Sequence, residues 1–261
     1  MIEFLIETVK SAKSVITQSA CNIREKVFGN YVTSADLDAQ ELITQKLRQR
    51  YPFCRIIAEE NTNDYEGLDD KIERSDKKIT FILDPLDGTT NYKFGLNIFA
   101  VSLGCLIDEE LIYGVVYIPE QDELFWAEKG KGAYLNGKRI EVNQKTQLKD
   151  CLIAVGTSPY DRKDSQKRFL LFDKIFKASC DIRRLGSAAI DLCYVACGRV
   201  DGYLEAGLRI WDYAAGMLIV QEAGGVVTDF KGKEIDLIKM QGDIVAANLE
   251  INKSLIGLMG E

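Results

Sequence analysis

Asp84-Pro85-Leu86-Asp87-Gly88-Thr89-Thr90-Asn91 directly follows the apolar run Ile79–Leu83. A short apolar run bounded by turn residues reads as a buried strand. The octet then places two carboxylates close together, with a proline fixing the chain between them. Such a turn points both side chains into one small volume. Carboxylates that close repel unless they are protonated or bridged by a cation. A hard divalent cation with oxygen ligands meets that need, and the Leu86 carbonyl faces the same volume. Gly88 lets another group approach the backbone. A helix starting at Thr89 would offer free N–H groups to phosphate oxygens. Taken singly, Asp-Pro and Asp-Gly are ordinary turn pairs. The whole octet behind a strand is what points to chemistry.

Composition narrows that chemistry. The 261-residue chain contains no histidine. That removes His-ligated zinc and haem, histidine general bases, and Ser-His or Cys-His nucleophiles. Any hydrolytic chemistry must use carboxylates, hydroxyls, lysines, cysteines or oxygen-bound metals. Seven cysteines are dispersed without a C-x-x-C pair. Cys193 and Cys197 lack nearby soft-metal partners and read as core thiols, so a reducing, cytoplasmic compartment is expected. The net charge of -7 argues against direct nucleic-acid binding. No apolar stretch is long enough to span a bilayer, so no membrane association is expected. Glu7, Lys10 and Lys13 soon follow Met1–Phe4, so the start reads as lacking a signal peptide.

Working outward from the octet, Leu5, Val9, Ala12 and Ile16 recur at helical spacing. A second helix is expected from Leu37 to Arg50, ended by Pro52. Cys54–Ala58 is a short strand leading into Glu59 and Glu60, and Thr62–Lys78 is a polar, acidic loop. Ile98–Leu106, Leu111–Tyr117 and Glu123–Ala127 read as strands. Asn136-Gly137 joins two more as a hairpin. After Gln147 the rhythm changes to strands alternating with helices, an α/β layer pattern. Helices are expected over Gln166–Ala178, Ser187–Cys197 and Asp212–Ala223, the last closed by Gly224-Gly225. The spacing places half-domains at 1–147 and 148–261. Asp36 and Asp212, each at a helix start, have the ordinary alternative of an N-cap. Glu59 and Glu60 alone would be a solvated loop start.

Three motifs together resemble the inositol monophosphatase family: the octet, Ala58-Glu59-Glu60, and WDYAAGMLIVQEAGG at Trp211–Gly225. GSAAIDLCYVACGRVDG at Gly186–Gly202 is similar to bacterial members. The resemblance runs over nearly the whole chain, in order. It implies a mixed α/β fold, a layered α-β-α-β-α sandwich of the inositol monophosphatase and fructose-1,6-bisphosphatase type. It also implies a magnesium-dependent, lithium-sensitive phosphoric monoester hydrolase, with two or three Mg2+ per site and a homodimeric state.

By that resemblance Glu59, Asp84 and the Leu86 carbonyl hold one metal, and Asp84, Asp87 and Asp212 a second. Glu59 would hold a weaker third ion through water, with Lys26 completing that region. Thr89 and Asp36, in Val32-Thr33-Ser34-Ala35-Asp36, orient the attacking water together with Glu59. Asp87, Gly88 and Thr89 face the phosphate, Glu205 accepts hydroxyls of a polyol, and Ala188 lies near the ring. Arg209 stands in a region where the family often has histidine, and the acidic loop after Glu60 is longer than usual. The substrate implied is inositol monophosphate or a related polyol phosphate. The alternatives are fructose 1,6-bisphosphate, 3'-phosphoadenosine 5'-phosphate or NADP, and a regulatory protein that binds transcription machinery.

Overall fold

The computed structural model describes residues 1–18, 23–27, 30–60, 78–159 and 161–260. The expected acidic loop Thr62–Lys78 lies outside them, Lys78 excepted. The apolar spacing at the start does form a helix, α1 (Ile2–Gln18), whose Leu5, Val9, Ala12 and Ile16 are buried. A small hairpin, β1 (Ile23–Val27) and β2 (Asn30–Thr33), leads into α2 (Ser34–Arg50). Ala35, Ala39, Ile43 and Leu47 of α2 are buried in the same core as α1.

Both helices cover one face of a seven-stranded sheet. Its strands, in spatial order, are β3 (Arg55–Ala58), β4 (Ile79–Asp87), β5 (Ala100–Ile107), β6 (Glu110–Ile118), β7 (Glu123–Glu128), β8 (Gly132–Leu135) and β9 (Lys138–Ile140). A short helix, α3 (Thr89–Lys93), intervenes between β4 and β5. The β3–β4 pair is parallel and the rest antiparallel. Asn136 and Gly137 have φ of 48° and 78°, the paired positive values that an Asn-Gly hairpin turn requires.

The second sheet runs β11 (Asp181–Arg183), β10 (Leu152–Val155), β12 (Gly202–Arg209), β14 (Gln241–Ala247), β13 (Val226–Thr228). Between the sheets lie α5 (Ala188–Ala196) and α6 (Ile210–Glu222), while α4 (Ser165–Ala178) and α7 (Leu249–Met259) cover the far face. The result is the expected α-β-α-β-α order. The middle layer is tight because α6 presents Ala214, Ala215 and Gly216. A Cβ on Gly114 of β6 would stand 2.6 Å from the Ala215 carbonyl oxygen. We propose that the chain divides into half-domains 1–147 and 148–261, each carrying one sheet and sharing the α5–α6 layer.

One local expectation needs correction, and one ordinary alternative falls away. The Asp84–Asp87 segment is not a free turn; β4 continues through it, and a register shift between Asp84 and Asp87 breaks the ladder to β5. Such a bulge re-aims side chains next to sites. Asp36 and Asp212 are not N-caps either. Each is the third residue of its helix, with its carboxylate turned back to the cap's N–H: Thr33 to Asp36 at 2.8 Å, Arg209 to Asp212 at 2.7 Å.

Candidate active site

A cleft of about 1670 Å³ opens where the end of β4, the start of α6 and the bulged end of β12 meet. The Coulombic pattern along β4 and α6 decides what the cleft can do. Glu59, just after β3, Asp84 and Asp87 on β4, and Asp212 on α6 all line it. Loss of solvent raises the Asp84 carboxyl well above the usual range, and Glu59, Asp87 and Asp212 raise it further. Asp212 is likewise raised, by desolvation first and then by Asp87 and Glu59. Asp87 goes to about 6, burial outweighing its hydrogen bonds, and Glu59 to about 7, burial and Glu60 outweighing Lys26. Four carboxylates from three elements therefore repel one another in one place.

Each is held by a neighbour. Asp84 Oδ1 accepts from the Leu86 N–H at 2.9 Å. Asp87 Oδ2 accepts from the Ser187 hydroxyl and the Ala189 N–H, both at 2.7 Å. Lys26 Nζ donates to Glu60 at 2.7 Å and to Glu59 at 3.4 Å. Among the described residues, no group of three or more carboxylate or thiol residues is gathered as a ready-made metal cage. The donor set nonetheless fits Mg2+. It is all oxygen, it carries excess negative charge, and its mutual repulsion is what a bound divalent cation relieves.

Beside the carboxylates, the Thr89 hydroxyl lies 3.0 Å from Asp36 Oδ1 and 3.0 Å from the Leu86 carbonyl oxygen. Asp36 is fully buried, and the Thr33 hydroxyl and N–H also donate to it. Gly88 has a φ of 97°, and a Cβ there would meet the Ile98 carbonyl at 2.8 Å, so only glycine fits. Glu205 lines the cleft further out and accepts from the Ser158 N–H at 2.8 Å and the Tyr203 hydroxyl at 2.7 Å.

The structure therefore brings Glu59, Asp84, Leu86, Asp87, Gly88, Thr89, Glu205, Arg209 and Asp212 into the lining of one cleft, together with Lys26. Asp36 sits behind Thr89. Ala188 is buried at the start of α5 and is not among the described residues lining the cleft. Sequence reasoning missed the group holding Asp87. Ser187 could have been found as the N-cap of α5, accepting from the Ile190 N–H. Its reach to a residue a hundred positions earlier had no local signal.

The family model described as "Inositol monophosphatase family" matches residues 1–259. The chain belongs to the inositol monophosphatase family. The Nus factor SuhB of Escherichia coli (strain K12) is 39% identical over 249 residues, covering 95% of this chain and 89% of that protein. The crystal structure of the extragenic suppressor protein suhB from Bartonella henselae superposes with a TM-score of 0.88 at 33% identity, covering 99% and 98% of the two chains. The inositol monophosphatase TM1415 of Thermotoga maritima gives 0.84 at 32% identity, covering 99% and 96%. As an inositol monophosphatase family member, the chain is a phosphatase-type enzyme acting on a small phosphate monoester, with the magnesium dependence typical of the family. No described helix is long and apolar enough to cross a membrane.

Proposed function

We propose that the chain hydrolyses the phosphate monoester of inositol monophosphate or a related small polyol. The observation that carries this reading is the convergence of Glu59, Asp84, Asp87 and Asp212 beside the buried Asp36–Thr89 pair. Mg2+ ions, when bound, supply the positive charge that screens the phosphoryl oxygens and makes water nucleophilic at neutral pH. Glu59, Asp84, the Leu86 carbonyl, Asp87 and Asp212 would hold them. Asp36 fixes the Thr89 hydroxyl, whose lone pair then orients a water toward phosphorus with Glu59 beside it. The Gly88 and Thr89 N–H groups face the phosphate. Phosphoryl transfer depends mainly on such positioning and charge screening.

Glu205 is the recognition residue in this reading. Its carboxylate, fixed by Ser158 and Tyr203, accepts hydroxyl hydrogens of a neutral polyol. Arg209 lines the same cleft, and Ala188 would lie near the bound ring. The reading includes lithium sensitivity, a homodimer and a cytoplasmic setting.

Phosphate release from inositol 1-phosphate with magnesium tests it. Wild type should turn over, and Asp84→Asn and Asp212→Asn should each lose about a thousandfold or more in kcat, because each removes charge present in the transition state. Near-normal turnover in either variant would overturn the assignment.

A second reading, a regulatory protein binding transcription machinery, draws on the name Nus factor carried by the relatives. Pulldown with wild type and Asp212→Asn separates the roles. Equal capture of transcription machinery by both supports a non-catalytic interaction, and capture by neither removes it.

A further inference from the structure

The cleft is larger than a small monoester needs. Pockets for small ligands span about 300–1000 Å³, and this one is about 1670 Å³. Its lining also divides by charge. Glu59, Asp84, Asp87, Glu205 and Asp212 are acidic. Lys167, Arg168 and Lys174 of α4 join Arg209 and Lys231 as a basic group, against the carboxylates of Asp161, Asp164 and Asp243. In a chain of net charge -7 this is a local reversal of sign.

Arg168 is the most telling of these. Its side chain is only 12% exposed. Among the described residues its one ion-pair partner is Asp161, at 3.9 Å and itself 59% exposed. No described side chain gives Arg168 a close, directed hydrogen bond, and no Arg168 nitrogen is among the buried, unpartnered side-chain atoms, so its guanidinium donors are open to the solvent of the cleft they line. Its charge reaches Glu205, whose carboxyl is raised by burial and pulled back by Tyr203, Ser158, Arg184 and Arg168. Lys167 and Lys231 also have no ion-pair partner among the described residues, whereas Lys174 leans on the Leu258 carbonyl at 3.4 Å.

We propose that Arg168, with Lys167 and Lys231, forms a subsite for a second phosphate, carried by the polyol on the side away from the ester that is cleaved. This rests on the hydrolase reading above and deepens it. Glu205 would grip the hydroxyls between the two phosphates. A planar guanidinium recognises a phosphate through paired hydrogen bonds, which a lone ammonium cannot reproduce.

The test compares myo-inositol 1-phosphate with myo-inositol 1,4-bisphosphate in wild type, Arg168→Gln and Lys231→Gln. For the bisphosphate, Arg168→Gln should raise KM about tenfold or more with kcat kept, the loss of a charge-assisted pair. Lys231→Gln, at an exposed position, should raise it less. KM for the monophosphate should stay within about twofold of wild type in both variants. Equal effects on the two esters, or no effect on either, would overturn the subsite. Titration calorimetry on Asp212→Asn, with and without Arg168→Gln, reads bisphosphate binding without turnover. If wild type hydrolyses neither ester, the hydrolase reading falls, and the calorimetry still decides the subsite: a tenfold weaker bisphosphate titration in the double variant supports it, and identical titrations refute it.

Discussion

Replacing Gly114 with alanine should damage a reaction centre that it does not touch. Gly114 lies on β6, and its Cα faces the backbone of α6. An added Cβ would stand 2.6 Å from the Ala215 carbonyl oxygen and 3.1 Å from its Cα. Those are backbone atoms, so no side chain can swing away. Relief needs α6 to move off the sheet by roughly half an ångström or more, in an interior packed as densely as a crystal. Overpacking of this kind costs about 1–3 kcal/mol. For a chain of this size that lowers Tm by about 3–10 °C. Asp212 sits one turn before Ala215 on the same helix, so the shift carries it away from Asp84 and Asp87. A misplacement approaching 1 Å can cost about a hundredfold in rate, so kcat should drop about ten- to a hundredfold. Gly257→Ala is the control: nothing lies within 4 Å of its added Cβ. It should leave turnover intact and gain up to about 1 kcal/mol of helix stability. Thermal melts and phosphate release decide the matter. A Gly114→Ala protein with wild-type Tm and kcat would refute the argument that the α6–β6 contact sets the position of Asp212.

Magnesium should raise the Tm of wild type in differential scanning fluorimetry and raise that of Asp84→Asn far less, since binding to the native state alone stabilises by mass action. Without magnesium, Asp84→Asn should melt higher than wild type, because one of four mutually repelling carboxylates is gone; an unchanged Tm would count against that repulsion. Thr89→Val should lower kcat about a hundredfold by removing the hydroxyl aligned by Asp36, and Thr89→Ser should restore most of it; equal losses would show that the hydroxyl does not act. Iodoacetamide at pH 8 should modify exposed Cys180 and spare Cys105 and Cys151, which are buried and whose thiols burial pushes up to about 12 and about 11. The pH lies below both folded values, so these thiols stay protonated until unfolding, and mass mapping after a short exposure reads the difference.

Local patterns in the sequence carried much of the architecture. Leu5, Val9, Ala12 and Ile16 announce a helix face without any tertiary information, and Asn136-Gly137 announces its turn through backbone sterics. Boundaries were harder. Asp84–Asp87 reads as a turn because proline and glycine punctuate it, yet pairing with β5 holds it in the sheet. Asp36 and Asp212 had the N-cap as their ordinary alternative because carboxylates favour helix starts. The same preference is met three residues past the cap, by a side chain folding back onto the cap's N–H. The acidic members of the site were legible as residues. Their support was not, because Ser187 and Ala189 act on Asp87, and Ser158 and Tyr203 on Glu205, through contacts that only the folded chain creates. Arg168 carries no motif at all. Its interest comes from burial with a distant partner, which a sequence does not reveal.

The clamp on Asp87 has a consequence for how the protein is made. Ribosomal synthesis delivers the Asp84–Asp87 segment early, while Ser187, Ala189 and Asp212 emerge much later. Until then the nascent chain holds like charges with neither their clamp nor their last partner. A fragment released before α6 would be inert, and an exposed acidic knot is a poor nucleus for folding. With the metal ligands proposed above, the order of translation thus sets the moment at which the chain can first hold its ions.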